Sequence, residues 1–163
     1  MNGNPGRESE QKTRSFPLPD LSVYVMDADL TEEETARYCF GRDFVSGRAF
    51  FASRHAGGIT ATHRFTILSS RMDGERELFG AVRFPESQRF KVLDVWQYEG
   101  HTQILLLHVP REWALIGSFE LDDPETLIRR WRSIFRSVVA MLPVPGTTFG
   151  DFLGRENYPA PEN

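Results

Sequence analysis

Residues 59–68, Ile-Thr-Ala-Thr-His-Arg-Phe-Thr-Ile-Leu, alternate between two kinds of side chain. Side chains on a strand point to opposite faces in turn, so this period of two predicts a strand with one face on a core. The threonines suit the exposed face of such a strand. The apolar face holds Ile59, Ala61, His63, Phe65 and Ile67, and the polar face holds Thr60, Thr62, Arg64 and Thr66.

Similar strand patterns occur on both sides of this stretch and are separated by turn residues. Residues 104–107, Ile-Leu-Leu-Leu, are apolar on both faces, which predicts a central strand covered on both sides. Asp73-Gly74 is typical of a two-residue hairpin turn. The other predicted strands cover residues 21–26, 48–54, 78–84, 90–98, 102–109 and 113–121.

Two helices are predicted at the ends of this β-rich region. Thr31-Glu-Glu-Glu34 is a capping box, in which the Thr31 hydroxyl and the Glu34 carboxylate each accept an amide of the first turn. It predicts a short helix from residue 32 to about 40. Apolar side chains between Leu127 and Leu142 recur at helical spacing and predict a second, amphipathic helix. The expected fold class is therefore α+β: an antiparallel meander of five or six strands, a long C-terminal helix packed on it and a short N-terminal helix.

The length of 163 residues suits a single domain. We expect a disordered leader over residues 1–19, one α+β domain over 20–143, and a tail rich in Pro, Gly and aromatic residues over 144–163. The single cysteine, Cys39, excludes an internal disulfide framework. The first residues lack the apolar core of a signal peptide, and no apolar stretch approaches the roughly 20 residues of a membrane helix. These features predict a cytoplasmic protein that does not associate with a membrane.

The charge balance disfavours nucleic acid as a partner. Lys and Arg number 19 against 23 Asp and Glu, a net charge of −4, whereas phosphate backbones attract a basic field. Two of the cations are lysines, Lys12 and Lys91, and the rest are arginines. Arginine forms planar bidentate pairs with carboxylates and phosphates, but a GC-rich genome also encodes an excess of it.

The Asp73-Gly74 turn predicts one candidate anion site. A two-residue loop there places Arg64 directly opposite Arg83 on the neighbouring strand, and adjacent like charges are destabilising unless something lies between them. An anionic ligand held by Arg64 and Arg83 is one interpretation. A nearby acid or water, or arginines that point into solvent, is the other.

Three polar groups on predicted apolar faces are candidates for proton transfer: His63, Asp94 and His108. The alternative interpretations are core histidines with hydrogen-bonded rings and an aspartate paired with an arginine. The three could share a face only if the turn after Tyr98 had three residues; with two, Asp94 points away from His108. Because P-loop, dinucleotide, serine-hydrolase and zinc motifs are all missing from the sequence, we predict no cofactor and no metal, and we assign no catalytic residue.

The tail offers a short set of apolar anchors, which either dock on the domain's own sheet or bind a partner. The anchors are Phe149, Phe152, Leu153 and Tyr158. We therefore expect a small binding or adaptor protein without catalysis of its own, which recognises a protein partner. The alternative is an enzyme or ligand-binding domain for a small anionic molecule, using the arginine pair and the His and Asp side chains on the sheet.

Overall fold

The computed structural model describes residues 21–54, 58–59, 61–70, 81–111, 123–139 and 158–162. In these ranges the chain forms seven strands and two helices. The strands are β1 (Ser22–Ala28), β2 (Asp43–Val45), β3 (Phe50–Ser53), β4 (His63–Ser69), β5 (Ala81–Phe84), β6 (Arg89–Tyr98) and β7 (His101–Val109), and the helices are α1 (Glu32–Thr35) and α2 (Pro124–Val139).

The seven strands form one mixed sheet in the order β2-β6-β7-β4-β1-β3-β5. Strands β4 and β7 run parallel, and the other described pairs are antiparallel. Of the described neighbours in this sheet, only β6 and β7 follow each other along the chain. The expected antiparallel meander of five or six strands is therefore wrong. The alternation along β4 also predicted one exposed face, but all seven residues of β4 are buried. Alternation does not report which strand lies beside another.

The hairpin between β6 and β7 has the two-residue turn Glu99-Gly100, with φ angles of 47° and 83°. Two left-handed residues in succession are the geometry of a type I′ turn, whose twist matches that of the strands. The turn pairs Tyr98 with His101. A bulge between Val92 and Asp94 then shifts the register by one residue.

Each face of the sheet buries its own apolar cluster. The first face carries α1 and residues 158–162, and its cluster is largely aromatic. Its core members are Tyr24, Tyr38, Phe44, Phe50, Phe65, Phe84, Phe90 and Tyr158, with aliphatic side chains from β4 to β7 between them. The second face is covered by α2, whose Trp131 and Phe135 pack on leucines of β4, β6 and β7.

Neither helix has the form that we expected. Helix α1 has four residues, whereas the sequence predicted a helix from residue 32 to about 40. Helix α2 has 16 residues, and the sheet that it covers is not the expected meander. The Phe135 ring of α2 lies edge-on to Trp96 and Tyr98 of β6, with centroid distances of 5.4 and 5.2 Å. The predicted strand over residues 113–121 lies outside the described residues. Neither described helix is long and apolar enough to cross a membrane.

The capping box of α1 is confirmed. The Glu34 amide donates to the Thr31 hydroxyl at 3.2 Å, and the Thr31 amide donates to Glu34 Oε2 at 2.8 Å. The helix ends well before residue 40 because the chain turns inward there. The Tyr38 amide donates to the Thr35 carbonyl at 3.0 Å, a tight turn that places the Tyr38 ring in the first-face core against Phe65.

Candidate functional site

Arg64 and Arg83 do not face each other, so the register derived from the Asp73-Gly74 turn is wrong. Strand β4 lies between β1 and β7, and β5 pairs with β3, so two strands separate the arginines by roughly 14 Å. Arg64 is buried and donates to both oxygens of Asp27. Arg83 is exposed and lies opposite Phe51. The turn itself lies outside the described residues.

His63 is held by a hydroxyl on each side of its ring. The Thr35 hydroxyl donates to the Thr31 carbonyl at 2.7 Å, so it accepts a hydrogen bond from His63 Nε2 at 2.8 Å. On the other side, the Thr62 hydroxyl lies 2.8 Å from Nδ1 and donates to the Ala28 carbonyl at 3.4 Å. Burial lowers the pKa of His63, although nearby carboxylates oppose the shift. The imidazole is therefore neutral, and it joins α1 to the start of β4.

His108 is also buried and bonded at both ring nitrogens. Its Nδ1 lies 2.9 Å from the Ser69 hydroxyl, and its Nε2 lies 3.0 Å from Gln88 Oε1. The amide oxygen can only accept, so Nε2 carries the proton that it receives. The ring packs among Phe84 and Phe90, with centroid distances of 5.6 and 5.4 Å. Both histidines therefore occupy the positions of hydrogen-bonded core side chains.

Asp94 lies on the other face of the sheet and pairs with Arg132 of α2. The Nε and Nη2 atoms of the guanidinium both lie 2.7 Å from Asp94 Oδ2, and Nε donates a hydrogen bond to it. The guanidinium carbon lies 5.2 Å from the centre of the Trp96 ring.

His63 and His108 share the first face but lie at opposite ends, roughly 20 Å apart along the parallel pair β4 and β7. The structure does not bring the three candidates together. Within the described ranges, no group of three His, Cys, Asp or Glu side chains is placed to hold a metal ion.

Tyr158, which we expected to contact a partner, is buried in the first-face core with 5% of its surface exposed. Its ring stacks on Phe65 at a centroid distance of 5.9 Å. The tail around this residue therefore docks on the domain's own sheet. The other three anchors, Phe149, Phe152 and Leu153, lie outside the described residues.

The structure shows an arginine–tyrosine pair that sequence reasoning missed. In the described residues, β1 pairs with β3 only at Val25 and Ser53, whereas it pairs with β4 along its whole length. Next to this junction, the exposed Arg54 donates from Nη2 to the Tyr24 hydroxyl at 3.2 Å. Its guanidinium carbon lies 5.5 Å from the centre of the Tyr24 ring. Arg54 ends a predicted strand. Its contact with Tyr24 was not predicted, because the sequence does not show that β1 and β3 are neighbours in the sheet.

This pair can bind an anion. A guanidinium presents five N–H donors in one plane, a geometry that suits the oxygens of a carboxylate or phosphate beside the Tyr24 hydroxyl. Tyr24 is fully buried and lies edge-on to Phe84 at 5.6 Å, so the ring under the guanidinium has a fixed position. The positive charge of Arg54 is therefore presented at a defined place on the first face.

No protein-family model matches the chain, and no curated protein matches it. Several solved structures are similar to part of it. The type III effector XopAI from Xanthomonas axonopodis pv. citri is 18% identical over 56% of this chain and 45% of its own, with a TM-score of 0.47. The ADP-ribosyltransferase HopU1 of Pseudomonas syringae pv. tomato is 14% identical over 55% of this chain and 45% of its own, with a TM-score of 0.45.

The Vis toxin, an ADP-ribosyltransferase from Vibrio splendidus, is 13% identical over 58% of this chain and 52% of its own, with a TM-score of 0.43. The chain thus spans about half the length of each of these proteins. Two of the three are named for a catalytic activity. This finding contradicts our expectation of a protein-binding adaptor without catalysis.

Proposed function

We propose that the chain is an enzyme that acts on a small anionic molecule, and that Arg54 binds the anion. One observation carries the proposal: an exposed guanidinium is held over a buried tyrosine ring at the junction of β1 and β3. The ring and the hydroxyl of Tyr24 already fix the plane of the guanidinium. The arginine side chain therefore loses little conformational entropy when a ligand binds.

The position of the pair in the sheet supports a ligand site. At Val25 and Ser53 the sheet is joined by one residue pair, and the residues on either side of them do not pair in the described structure. A single residue pair holds two strands together less firmly than a full ladder does, so we propose this point as the place where a ligand approaches the sheet. Arg54 and Tyr24 lie directly beside this point.

We propose a molecule with an ADP-ribosyl group as the substrate class to test first. Two of the similar proteins, HopU1 and the Vis toxin, are ADP-ribosyltransferases. Its pyrophosphate carries negative charge and several acceptor oxygens, which suit a bidentate guanidinium. A protein partner and a cytoplasmic location remain predictions from the sequence.

The test measures NAD⁺ binding by calorimetry and nicotinamide release by chromatography, with inorganic pyrophosphate as a second ligand. Arg54→Gln removes the charge and should weaken binding of both ligands roughly ten- to hundredfold, the range for hydrogen bonds to charged groups. Tyr24→Phe keeps the ring but removes the hydroxyl, and should weaken binding less. Arg89→Gln removes an exposed arginine from β6 and should leave binding unchanged.

The outcomes separate the parts of the proposal. Equal binding by wild type and Arg54→Gln would exclude Arg54 as the anion-binding residue. Binding of pyrophosphate without binding of NAD⁺ would retain the anion site but exclude the ADP-ribosyl class. NAD⁺ binding without nicotinamide release would indicate a ligand-binding domain rather than an enzyme.

A further inference from the structure

Residues 158–162, Tyr-Pro-Ala-Pro-Glu, lie against the first face as a separate short segment, which we call the docking segment. It pairs with the chain after β2 through its main chain. The Gly47 amide donates to the Ala160 carbonyl, and the Glu162 amide donates to the Val45 carbonyl, both at 3.0 Å. Ser46 and Pro161 form an antiparallel bridge between these two bonds. The segment is thus added to the edge of β2 as a strand would be.

One side chain anchors the docking segment in the core. The Tyr158 ring stacks on Phe65 with an interplanar angle of 7°, and the Arg48 guanidinium lies 5.6 Å from the centre of the same ring. The hydroxyl reaches a charged acceptor, since it donates to Glu34 Oε1 at 2.6 Å. This bond gives the groove a means to select tyrosine over phenylalanine, because phenylalanine would leave the carboxylate without the donated proton.

The remaining contacts accept proline at two positions of the segment. The Tyr38 hydroxyl donates to the Pro159 carbonyl at 2.7 Å, so this contact uses an oxygen that every residue has. The main-chain bonds of the segment to residues 45 and 47 use the carbonyl of Ala160 and the amide of Glu162, and they require no amide from residue 159 or 161. Proline lacks that amide and limits the conformations of an unbound peptide, so it reduces the entropy lost on binding.

We infer that this groove is a peptide-binding site for Tyr-Pro-x-Pro sequences, and that the chain's own docking segment is the ligand it holds here. The groove is formed by Glu34, Tyr38, Phe65, Arg48 and residues 45–47. One buried aromatic anchor combined with main-chain pairing at a sheet edge is a general mode of peptide recognition. A partner protein that displays an accessible Tyr-Pro-x-Pro peptide competes with the docking segment for the same contacts. The inference does not depend on Arg54 or on the proposed enzymatic function.

The test uses the full chain and a fluorescein-labelled peptide with the sequence of residues 156–163, followed by fluorescence anisotropy. Tyr158→Ala removes the internal anchor, so the peptide should bind this variant most tightly. Tyr158→Phe keeps the ring and removes the bond to Glu34, so it should bind the peptide less tightly than Tyr158→Ala but more tightly than wild type. A second peptide with phenylalanine in place of tyrosine should bind each variant roughly ten- to hundredfold more weakly.

Circular dichroism establishes whether each variant is folded. If Tyr158→Ala is unfolded, the comparison of Tyr158→Phe with wild type decides the question, because that substitution keeps the stacked ring. Peptide binding in the expected order, with the preference for tyrosine, would support the site. No binding to a folded variant, or equal binding of the two peptides, would overturn it.

Discussion

Asp27 and Arg64 face each other across β1 and β4, and two hydrogen bonds of 2.6 and 2.9 Å join the carboxylate to the guanidinium. Their side chains are only 6% and 3% exposed. Removing two charges from water costs several kcal/mol per ion, and only bidentate geometry of this kind offsets that cost. A shift of one residue in the register of β1 on β4 would separate the charges. The pair therefore makes the position of β1 in the sheet specific.

Arg64→Met should lower the free energy of unfolding by about 3–5 kcal/mol, because Asp27 then keeps a buried charge without its arginine. The double variant Asp27→Leu/Arg64→Met should regain most of the loss, since apolar side chains of similar size can replace a buried ion pair. Urea denaturation of wild type, both single variants and the double variant gives the coupling energy. A double variant as unstable as the sum of the single variants would show that the two charges do not act as a pair.

The second prediction concerns His63 and pH. Burial lowers the pKa of His63 below its ordinary value of 6.5, so the unfolded chain binds a proton there before the folded chain does. The stability linked to neutral His63 is complete above pH 6.5. It is lost as the pH falls from 6.5 through the lower pKa of the folded state. Urea denaturation at pH 7.5 and 5.5 should show a smaller pH effect for His63→Gln than for wild type.

His101→Gln is the matched control for His63→Gln. His101 is half-buried, and its Nδ1 lies 2.7 Å from the Ala61 carbonyl. This variant should keep the full loss of stability between pH 7.5 and 5.5. An equal pH effect in wild type and His63→Gln would mean that burial does not lower the pKa of this ring in the folded chain.

The sequence locates strands better than it locates their neighbours. Residues 59–68 include all of β4 except Ser69, and residues 102–109 include all of β7 except His101. Their parallel pairing is a property of the whole chain, because β7 reaches β4 only after the chain has passed through β5 and β6. The order of strands depends on many packing choices that act together, and no local pattern in these residues records it.

Small irregularities had a large effect on the candidate site. With the two-residue turn at Glu99-Gly100, Asp94 points away from His108, as predicted for a turn of that length. The bulge after Val92, however, makes Phe90 rather than Lys91 the partner of His108. A bulge adds one residue to one strand and leaves no alternation signal of its own. Arg54 was missed for a related reason, since its contact with Tyr24 joins strands that the sequence does not identify as neighbours.

The third prediction concerns Gln103, which is 1% exposed on the second face of the sheet. In the described part of the chain, neither atom of its amide group has a hydrogen-bond partner. A buried amide without partners costs roughly 1–3 kcal/mol in proteins. Gln103→Met keeps a similar volume without the polar atoms, so it should raise the free energy of unfolding by about 1 kcal/mol or more.

Gln97→Met is the control for this substitution. The Gln97 amide donates to the Thr102 hydroxyl at 2.7 Å, so the same chemical change removes a bond and should give no gain in stability. Urea denaturation compares both variants with wild type. A loss of stability in Gln103→Met would show that the amide makes a favourable interaction in solution, for example with a bound water molecule.

The fourth prediction concerns Glu34 at acid pH. The hydrogen bond from Tyr158 is the main cause that lowers the pKa of Glu34, and the Thr31 amide adds to it. The folded chain therefore keeps this carboxylate charged at a pH where the unfolded chain binds a proton. The stability that it contributes is complete above its ordinary pKa of 4.5 and is lost as the pH falls through the lower folded value.

Thermal unfolding between pH 6 and pH 3 checks this prediction. Glu34→Gln should lose less thermal stability on acidification than wild type does. Glu32→Gln, which changes an exposed residue of the same helix, should lose as much as wild type. If both variants match wild type, the bond between Tyr158 and Glu34 does not hold residues 158–162 in place, and the peptide groove loses its basis for selecting tyrosine.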